Sequence, residues 1–182
     1  MVYNNTIQNN DGTGISFGCS GNNTVYGNTI QNNGGYGIFF NYSGNNTIYL
    51  NNFIDNAYQY YTAGGTGNRF YSPQPTTYMY KGKTYTNYTG NYWSDYNGTD
   101  KNDDGIGDTA YRSDPYPLIR IVKIEKGQVI ITAPPKITIT NPQNAETVYG
   151  FYLLVLARRP TPQNSDKKHG QSNRLENSLG TA

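Results

Sequence analysis

The sequence repeats itself with a period of 23 residues over its first 71 positions. Residues 5–10 (NTIQNN) return as residues 28–33 and, more loosely, as residues 51–56. Residues 20–26 (SGNNTVY) return as residues 43–49, and a copy that is one residue shorter ends at residue 71. A fixed repeat of this length predicts a solenoid in which each unit stacks on the next.

Each repeat reads as three short strands separated by turns. Apolar and polar residues alternate in short runs, and pairs of Gly and Asn lie between these runs. A leucine-rich repeat of similar length is excluded because such repeats need regular leucines, and only Leu50 precedes Leu118. The pattern therefore predicts an all-β chain, a right-handed parallel β-helix with 23-residue coils in which equivalent residues stack.

Stacking of the repeats predicts inward columns and columns of asparagine. The inward columns hold Val2, Val25 and Ile48; Ile7, Ile30 and Phe53; and Ile15, Ile38 and Tyr61. The asparagine columns hold Asn5, Asn28 and Asn51, and Asn10, Asn33 and Asn56. We interpret these asparagines as structural, because Asn tolerates left-handed backbone and its amide can bond to the next amide along the stack.

The repeat register is lost after residue 72, where Pro73 and Pro75 mark a turn. Five segments are predicted: parallel β-helix coils over 1–72, a capping region with an aspartate-rich loop over 73–118, a pair of short strands over 119–133, a partial immunoglobulin-like or linker segment over 134–156, and a disordered tail over 157–182. The capping region is irregular, and its aromatic residues around Trp93 are expected to cover the open end of the apolar column.

Composition excludes several classes of protein. A content of 19 Tyr and 14% aromatic residues is not typical of a disordered chain. A net charge of +2 without a basic stripe gives no reason to expect nucleic acid as a partner. The most apolar run, residues 148–156, has nine residues, against the roughly 20 that cross a bilayer, so no membrane span is predicted.

Six sequons for N-glycosylation are consistent with an exported glycoprotein in the extracellular space, at the cell surface or in the periplasm. They begin at Asn4, Asn22, Asn41, Asn45, Asn87 and Asn97.

The chain starts in the middle of a repeat, so we expect an export signal upstream. An uncapped first coil leaves unpaired backbone groups, and we predict self-association through this open N-terminal coil.

The repeat unit at residues 44–49 (GNNTIY) and the ending at residues 90–118 resemble the NosD-like family of β-helix proteins. In that ending, GNYWSDYNGTD is followed by DGIGDT and then by YPL. The resemblance covers about residues 1–118, and the ending is its most specific part. It implies an exported protein from a wider set of carbohydrate-binding and sugar-hydrolase β-helix domains, some of which are described as periplasmic copper-binding accessory proteins.

Residues 100–108 (DKNDDGIGD) have the spacing of a calcium loop. Oxygen ligands at loop positions 1, 3, 5 and 9 come from Asp100, Asn102, Asp104 and Asp108, and Ile106 offers its backbone carbonyl at position 7. The bidentate Glu of an EF-hand is missing, and Asp114 is the candidate that completes the shell. We predict a calcium cofactor here, with a solvated acidic turn as the alternative.

Copper and catalysis fit the residues less well. Cu(I) prefers Cys and Met and Cu(II) prefers imidazole. The chain offers only Met1, Cys19, Met79 and His169. Glycoside cleavage needs two placed carboxylates, whereas Asp11 and Asp55, the only acids before Asp95, occupy different positions in the repeat. We therefore predict that the chain is not an enzyme.

Tyr3, Tyr26 and Tyr49 share one position of the repeat, directly after an inward Val or Ile, and Tyr71 extends the row. They should form an outward ladder on which sugar rings can stack; the alternative is that the rings stack on one another and shield the sheet. The preferred function is a non-catalytic cell-surface module for adhesion, scaffolding or binding of a polysaccharide or cell-surface glycan. The alternative is an accessory protein of a periplasmic copper-delivery system, or a non-catalytic part of a polysaccharide-processing enzyme.

Overall fold

A computed structural model describes residues 1–132 and two further strands at 136–141 and 144–149, all within one compact unit, Met1–Phe151. These residues form sixteen β-strands and no helix. In chain order the strands are β1 (Val2–Tyr3), β2 (Thr6–Gln8), β3 (Ile15–Gly18), β4 (Thr24–Tyr26), β5 (Thr29–Gln31), β6 (Tyr36–Asn41), β7 (Thr47–Tyr49), β8 (Asn52–Ile54), β9 (Tyr58–Ala63), β10 (Thr76–Tyr80), β11 (Lys83–Asn87), β12 (Tyr92–Trp93), β13 (Val122–Glu125), β14 (Gln128–Ile131), β15 (Lys136–Asn141) and β16 (Asn144–Tyr149).

Three parallel sheets are built from successive repeats. The first contains β1, β4 and β7, the second β2, β5, β8 and β12, and the third β3, β6 and β9. Val2 pairs with Val25 and Ile7 with Ile30, so the pairing follows the repeat of the sequence. The all-β architecture and its parallel sheets confirm the predicted fold class at this level.

The inward side chains of the three sheets pack into one apolar core. Successive residues of a strand point to opposite faces, so Val25 of β4 is fully buried while Thr24 and Tyr26 beside it are only half buried. Trp93 of β12 ends the column of the second sheet, and its indole stacks on Phe53 with ring centroids 4.4 Å apart. The other buried members are Ile15, Ile30, Ile38, Phe40, Ile48, Tyr60 and Phe70.

The third inward column differs from its prediction at the last member. Ile38 pairs with Tyr60 and not with Tyr61, because the third coil is one residue shorter than the second. Tyr60 is 6% exposed and lies in the core, whereas Tyr61 is 46% exposed. Since a shift of one residue moves a side chain to the other face of a strand, the missing residue exchanges the roles of the two tyrosines.

A fourth sheet lies beside the coils, with the strand order β11, β10, β14 and β13. β10–β11 and β13–β14 are antiparallel pairs, and β14 joins them by pairing parallel to β10. Its buried side chains form a second apolar core together with Leu50 and Leu118. Val122 attaches this sheet to the coils, because its N–H donates to Oδ1 of Asn52 at 2.8 Å and its carbonyl accepts from Nδ2 of Asn52 at 2.9 Å.

The hairpin of β15 and β16 is antiparallel, with Lys136 opposite Tyr149. It falls in the segment predicted as a partial immunoglobulin-like domain or a linker. The remainder of that segment and the predicted tail over 157–182 lie outside the described residues.

Candidate functional site

Side-chain amides dominate the polar interior of the coils. Nδ2 of Asn28 donates to Oδ1 of Asn51 at 2.9 Å, and the backbone N–H of Asn28 donates to the same oxygen at 3.1 Å. The same pair of bonds links Asn5 to Asn28 and Asn51 to Asn91. Asn51 and Asn91 are 40 positions apart in the chain, with β10 and β11 between them. We call this column, Asn5 to Asn91, the first amide ladder.

Two further ladders run in the same direction. One passes from Asn10 through Asn33 to Asn56, whose Nδ2 donates to Oε1 of Gln59 at 3.1 Å. The other passes from Asn23 through Asn46 to Asn68, whose Nδ2 donates to the carbonyl of Ser43 at 3.0 Å. Along each ladder, Nδ2 of one asparagine donates to Oδ1 of the next asparagine in the column. The structural role predicted for the asparagine columns is therefore confirmed.

In the coils, the left-handed backbone lies one residue before each ladder amide. Asn4, Asn22 and Asn45 have φ angles of 54°, 58° and 55°, which Asn tolerates better than most residues. We had predicted both properties for the same column, whereas the structure divides them between the two members of each Asn-Asn pair. Before Asn51 this left-handed position is held by Leu50, with a φ of 53°. The side chain of Leu50 lies in the second apolar core.

The aspartate-rich loop is closed by hydrogen bonds of its own. Asp100 accepts the backbone N–H groups of Asp104 and Gly105 at 3.0 and 2.9 Å. Oδ1 of Asp104 accepts the N–H of Ile106, and Asn102 donates to the other oxygen of Asp104. The Asp108 carboxylate accepts from the N–H of Lys101 and the hydroxyl of Thr99, and Asp103 pairs with Lys81. These carboxylates therefore hold the turn instead of converging on one point.

Asp114 does not join this loop. Its carboxylate is fully buried below Asn91, and it accepts from the N–H of Asn91 at 2.8 Å and from Nε1 of Trp93 at 2.9 Å. The N–H of Tyr116 donates to its other oxygen at 3.0 Å. Sequence reasoning missed this role because the 40-position separation of Asn51 and Asn91 hides the continuation of the column.

The predicted tyrosine ladder forms over three coils. Tyr3 stacks on Tyr26, and Tyr26 on Tyr49, with centroids 5.3 Å apart and interplanar angles of 4° and 11°. Tyr71 instead packs edge-on against Tyr88 and Tyr116. Because the ring faces between coils cover one another, this arrangement favours the alternative in which the tyrosines shield the sheet.

A second aromatic group on the outer face of the third sheet was missed. Tyr36 lies 5.3 Å from Tyr61 and 5.5 Å from Phe39, and Tyr58 lies 5.2 Å from Tyr36. These residues occur in only two of the coils, since Thr13 and Ser16 hold the equivalent positions in the first. A search for rows that repeat in every coil therefore overlooks them.

An open polar groove of about 530 Å³ lies beside β13. Asn5, Thr29 and Asn52 line it on the side of the coils, and Lys123 and Glu125 line it on the side of β13. It offers amides, hydroxyls and one side chain of each charge, which suit hydrogen bonding to a polar surface.

Parallel strands in three sheets, stacked aromatic columns and amide ladders define a β-solenoid. The model of a family described as periplasmic copper-binding protein (NosD) matches residues 1–98. The chain belongs to the NosD family, which confirms the resemblance stated above. No curated protein and no solved structure gives a significant match.

The prediction of calcium is wrong. The family is described as copper-binding, and within the described ranges no group of three or more His, Cys, Asp or Glu side chains is arranged to hold a metal ion. The physical reason lies in the loop, where backbone N–H groups use the oxygens of Asp100, Asp104 and Asp108. Asp114, predicted to complete the shell, is buried under Asn91.

Copper does not fit the described residues either. Cys19 is exposed in the turn after β3, Met1 precedes β1, and the sulfur of Met79 on β10 accepts from Nε2 of Gln128. Cys19 follows a strand of the third sheet, Met1 precedes a strand of the first and Met79 lies in the fourth, so these soft ligands do not come from one sheet. His169 lies outside the described residues.

The predicted location outside the cytoplasm, in the extracellular space, at the cell surface or in the periplasm, is confirmed by the family, which is periplasmic. Among the described residues no helix is long and apolar enough to span a membrane.

Proposed function

We propose that this chain is a non-catalytic accessory part of an exported copper-handling system, in which it serves as a scaffold. The observation that carries the proposal is the NosD family match over residues 1–98, which coincides with the coils and β12. Membership of a copper-binding family together with an interior built from amides and apolar side chains favours an accessory role. Adhesion and glycan binding have less support, because the tyrosine ladder is used in stacking.

The scaffold that we propose is a right-handed parallel β-helix of 23-residue coils, capped at its C-terminal end by residues 88–118. Four contacts support the cap. The indole of Trp93 lies between Phe53 at 4.4 Å and Tyr111 at 4.8 Å. The N–H of Gly90 donates to the carbonyl of Tyr116, and the N–H of Leu118 donates to the carbonyl of Asn91. These bonds repeat the pairing between coils at the place where the regular repeat ends.

A scaffold explains the arrangement better than a copper carrier does. A copper site needs several soft or imidazole ligands on one centre, and the described part of the chain has Cys19 and Met79 in separate sheets. The carboxylates speak against catalysis. Asp11 and Asp55 are exposed at separate turns, and Asp114 is enclosed by N–H donors. We therefore expect a partner to bind to the outer surface of the coils.

The accessory role is tested by measuring the copper content of exported proteins in the native host. Deleting the gene should lower the copper content of the exported protein fraction, measured by mass spectrometry of the metal, and a plasmid copy should restore it. A double variant, Cys19→Ser with His169→Ala, should restore it equally well because a scaffold needs no copper ligand. Unchanged copper content after deletion would contradict the accessory role.

Dialysis of the purified full chain against Cu(I) or Cu(II) separates the scaffold from a carrier. We expect the wild type and the double variant to retain the same amount of metal, well below one ion per chain. One tightly held copper ion in the wild type that is lost in the double variant would identify the chain as a carrier.

A further inference from the structure

The first amide ladder ends on a carboxylate. Asn91 and Asp114 are 23 positions apart, and both the N–H and Nδ2 of Asn91 donate to Oδ2 of Asp114, at 2.8 and 3.4 Å. Asp114 thus occupies the place that an asparagine holds in the coils. An asparagine there would present an NH2 group with two donors in need of acceptors. An ionised carboxylate presents no donor and a neutral carboxyl group only one, so an aspartate can end the column.

The carboxylate is held by neutral donors alone. Nε1 of Trp93 donates to Oδ2, and the N–H of Tyr116 donates to Oδ1. Asp114 is 0% exposed. Within residues 1–132 no cationic side chain lies at salt-bridge distance from it, since the ion pair of this range joins Lys81 to Asp103. An ionised Asp114 is therefore a buried charge without a counter-ion, which is costly.

The ionisable neighbours are engaged elsewhere. The guanidinium of Arg112 lies over the ring of Tyr60 at 4.4 Å and donates to the carbonyl of that residue. The hydroxyl of Tyr111 donates to Asp95. Burial raises the pKa of Asp114 to about 7, and the hydrogen bonds from Trp93, Asn91 and Tyr116 oppose this rise.

We propose that Asp114 is a proton-sensitive latch, in which uptake of one proton by its carboxyl group strengthens the attachment of residues 111–118 to Asn91 and β12. Protonation removes the buried charge, while Oδ2 keeps its position beneath Asn91 and Trp93. Oδ1 accepts a single hydrogen bond and is the oxygen with room for the proton. The latch closes the end of the solenoid because the same carboxyl group touches β12 and the segment that follows it.

The direction of the pH dependence follows from the two pKa values. An aspartate of the unfolded chain has a pKa of about 3.9, whereas that of folded Asp114 is raised to about 7. The folded state therefore binds more protons between these values. The stabilisation is complete below about pH 4 and is lost as the pH rises through about 7.

Trp93 makes the latch observable, because it is the single tryptophan of the chain and donates directly to Asp114. The fluorescence of the native full chain should titrate with a midpoint near pH 7. Asp114→Asn, which removes the ionisation, should abolish this titration. Asp95→Asn, which changes an exposed carboxylate close by, should leave it in place. The unfolding equilibrium constant in urea should rise at least about tenfold between pH 5 and pH 8 in the wild type only.

Carboxyl ¹³C NMR of the aspartate-labelled wild type gives a test that needs no variant to fold. One aspartate should titrate near pH 7. The latch is overturned if every aspartate titrates below about pH 5. It is equally overturned if the wild type and Asp114→Asn share one fluorescence titration.

Discussion

The regular coils and the segment over 88–118 bury similar side chains by different means. In the coils the same residue type returns at each level, so that Asn28 and Asn51 make the same bonds one coil apart. After β9 each column ends on a single residue. The one side chain of Trp93 contacts three rings, those of Phe53, Tyr60 and Tyr111. The comparison teaches that removal of one side chain should destabilise the coils only a little, because equivalent residues above and below it remain. Removal of Trp93 at the end of the coils should destabilise the protein much more.

The largest effect is expected from Trp93→Ala. The indole is fully buried between two rings, and truncation of such a side chain typically lowers the free energy of unfolding by about 3–5 kcal/mol. Trp93→Phe should lose less because it keeps a ring on Phe53. Urea denaturation followed by circular dichroism measures both. As a control, Tyr3→Ala removes a ring that is 51% exposed; an equal loss there would abolish the contrast between the two regions.

An intermediate effect is expected within the first amide ladder. Asn51→Ala removes a buried acceptor and leaves the backbone N–H of Asn28 without a partner, while the NH2 of Asn28 keeps its bonds to the carbonyls of Val2 and Tyr26. The expected loss in the free energy of unfolding is about 1–3 kcal/mol. Asn5→Ala, at the exposed end of the same ladder, should cost less than about 1 kcal/mol. Thermal or urea unfolding of the two variants gives the difference. Equal losses in the free energy of unfolding would mean that the contribution of these hydrogen bonds to stability does not depend on burial.

The smallest effect is expected in the aspartate-rich loop. Asp100→Ala loses the acceptor of two backbone N–H groups and should cost about 1–2 kcal/mol. Asp103→Ala, which breaks an exposed ion pair with Lys81, should lower the free energy of unfolding less than Asp100→Ala does, because solvent screens the exposed charges. The melting temperature should be the same in chelator and in millimolar calcium. A rise in calcium that disappears in Asp100→Ala would restore the metal site that the structure argues against.

Repetition decided how much of this molecule could be predicted. Val25 and Ile30 were placed inward because each has a counterpart 23 positions away, and the pairing agrees. Tyr61 was predicted in the inward column in place of Tyr60, because the third coil is one residue shorter than the repeat. Asn91 and Asp114 were not recognised as ladder members, since periodicity gives no signal across a long excursion. Self-association of the first coil and sugar contacts of the tyrosines stay predictions.

The calcium prediction failed for a different physical reason. Asp and Gly at short spacing fit both a metal loop and a turn that satisfies its own backbone, and spacing alone does not distinguish them. The position of the donors decides between the two, because the N–H groups of Asp104, Gly105 and Ile106 already point at the carboxylates.

The 40 positions between Asn51 and Asn91 are 17 more than the repeat of 23, yet their amides touch as closely as those of adjacent coils. The excess corresponds to the excursion that carries β10 and β11 out to the fourth sheet. The solenoid can therefore grow in two independent directions, along its axis by whole coils and sideways by a hairpin inserted at a corner. An insertion of this kind changes the outer wall of the solenoid while the axial stack stays in register.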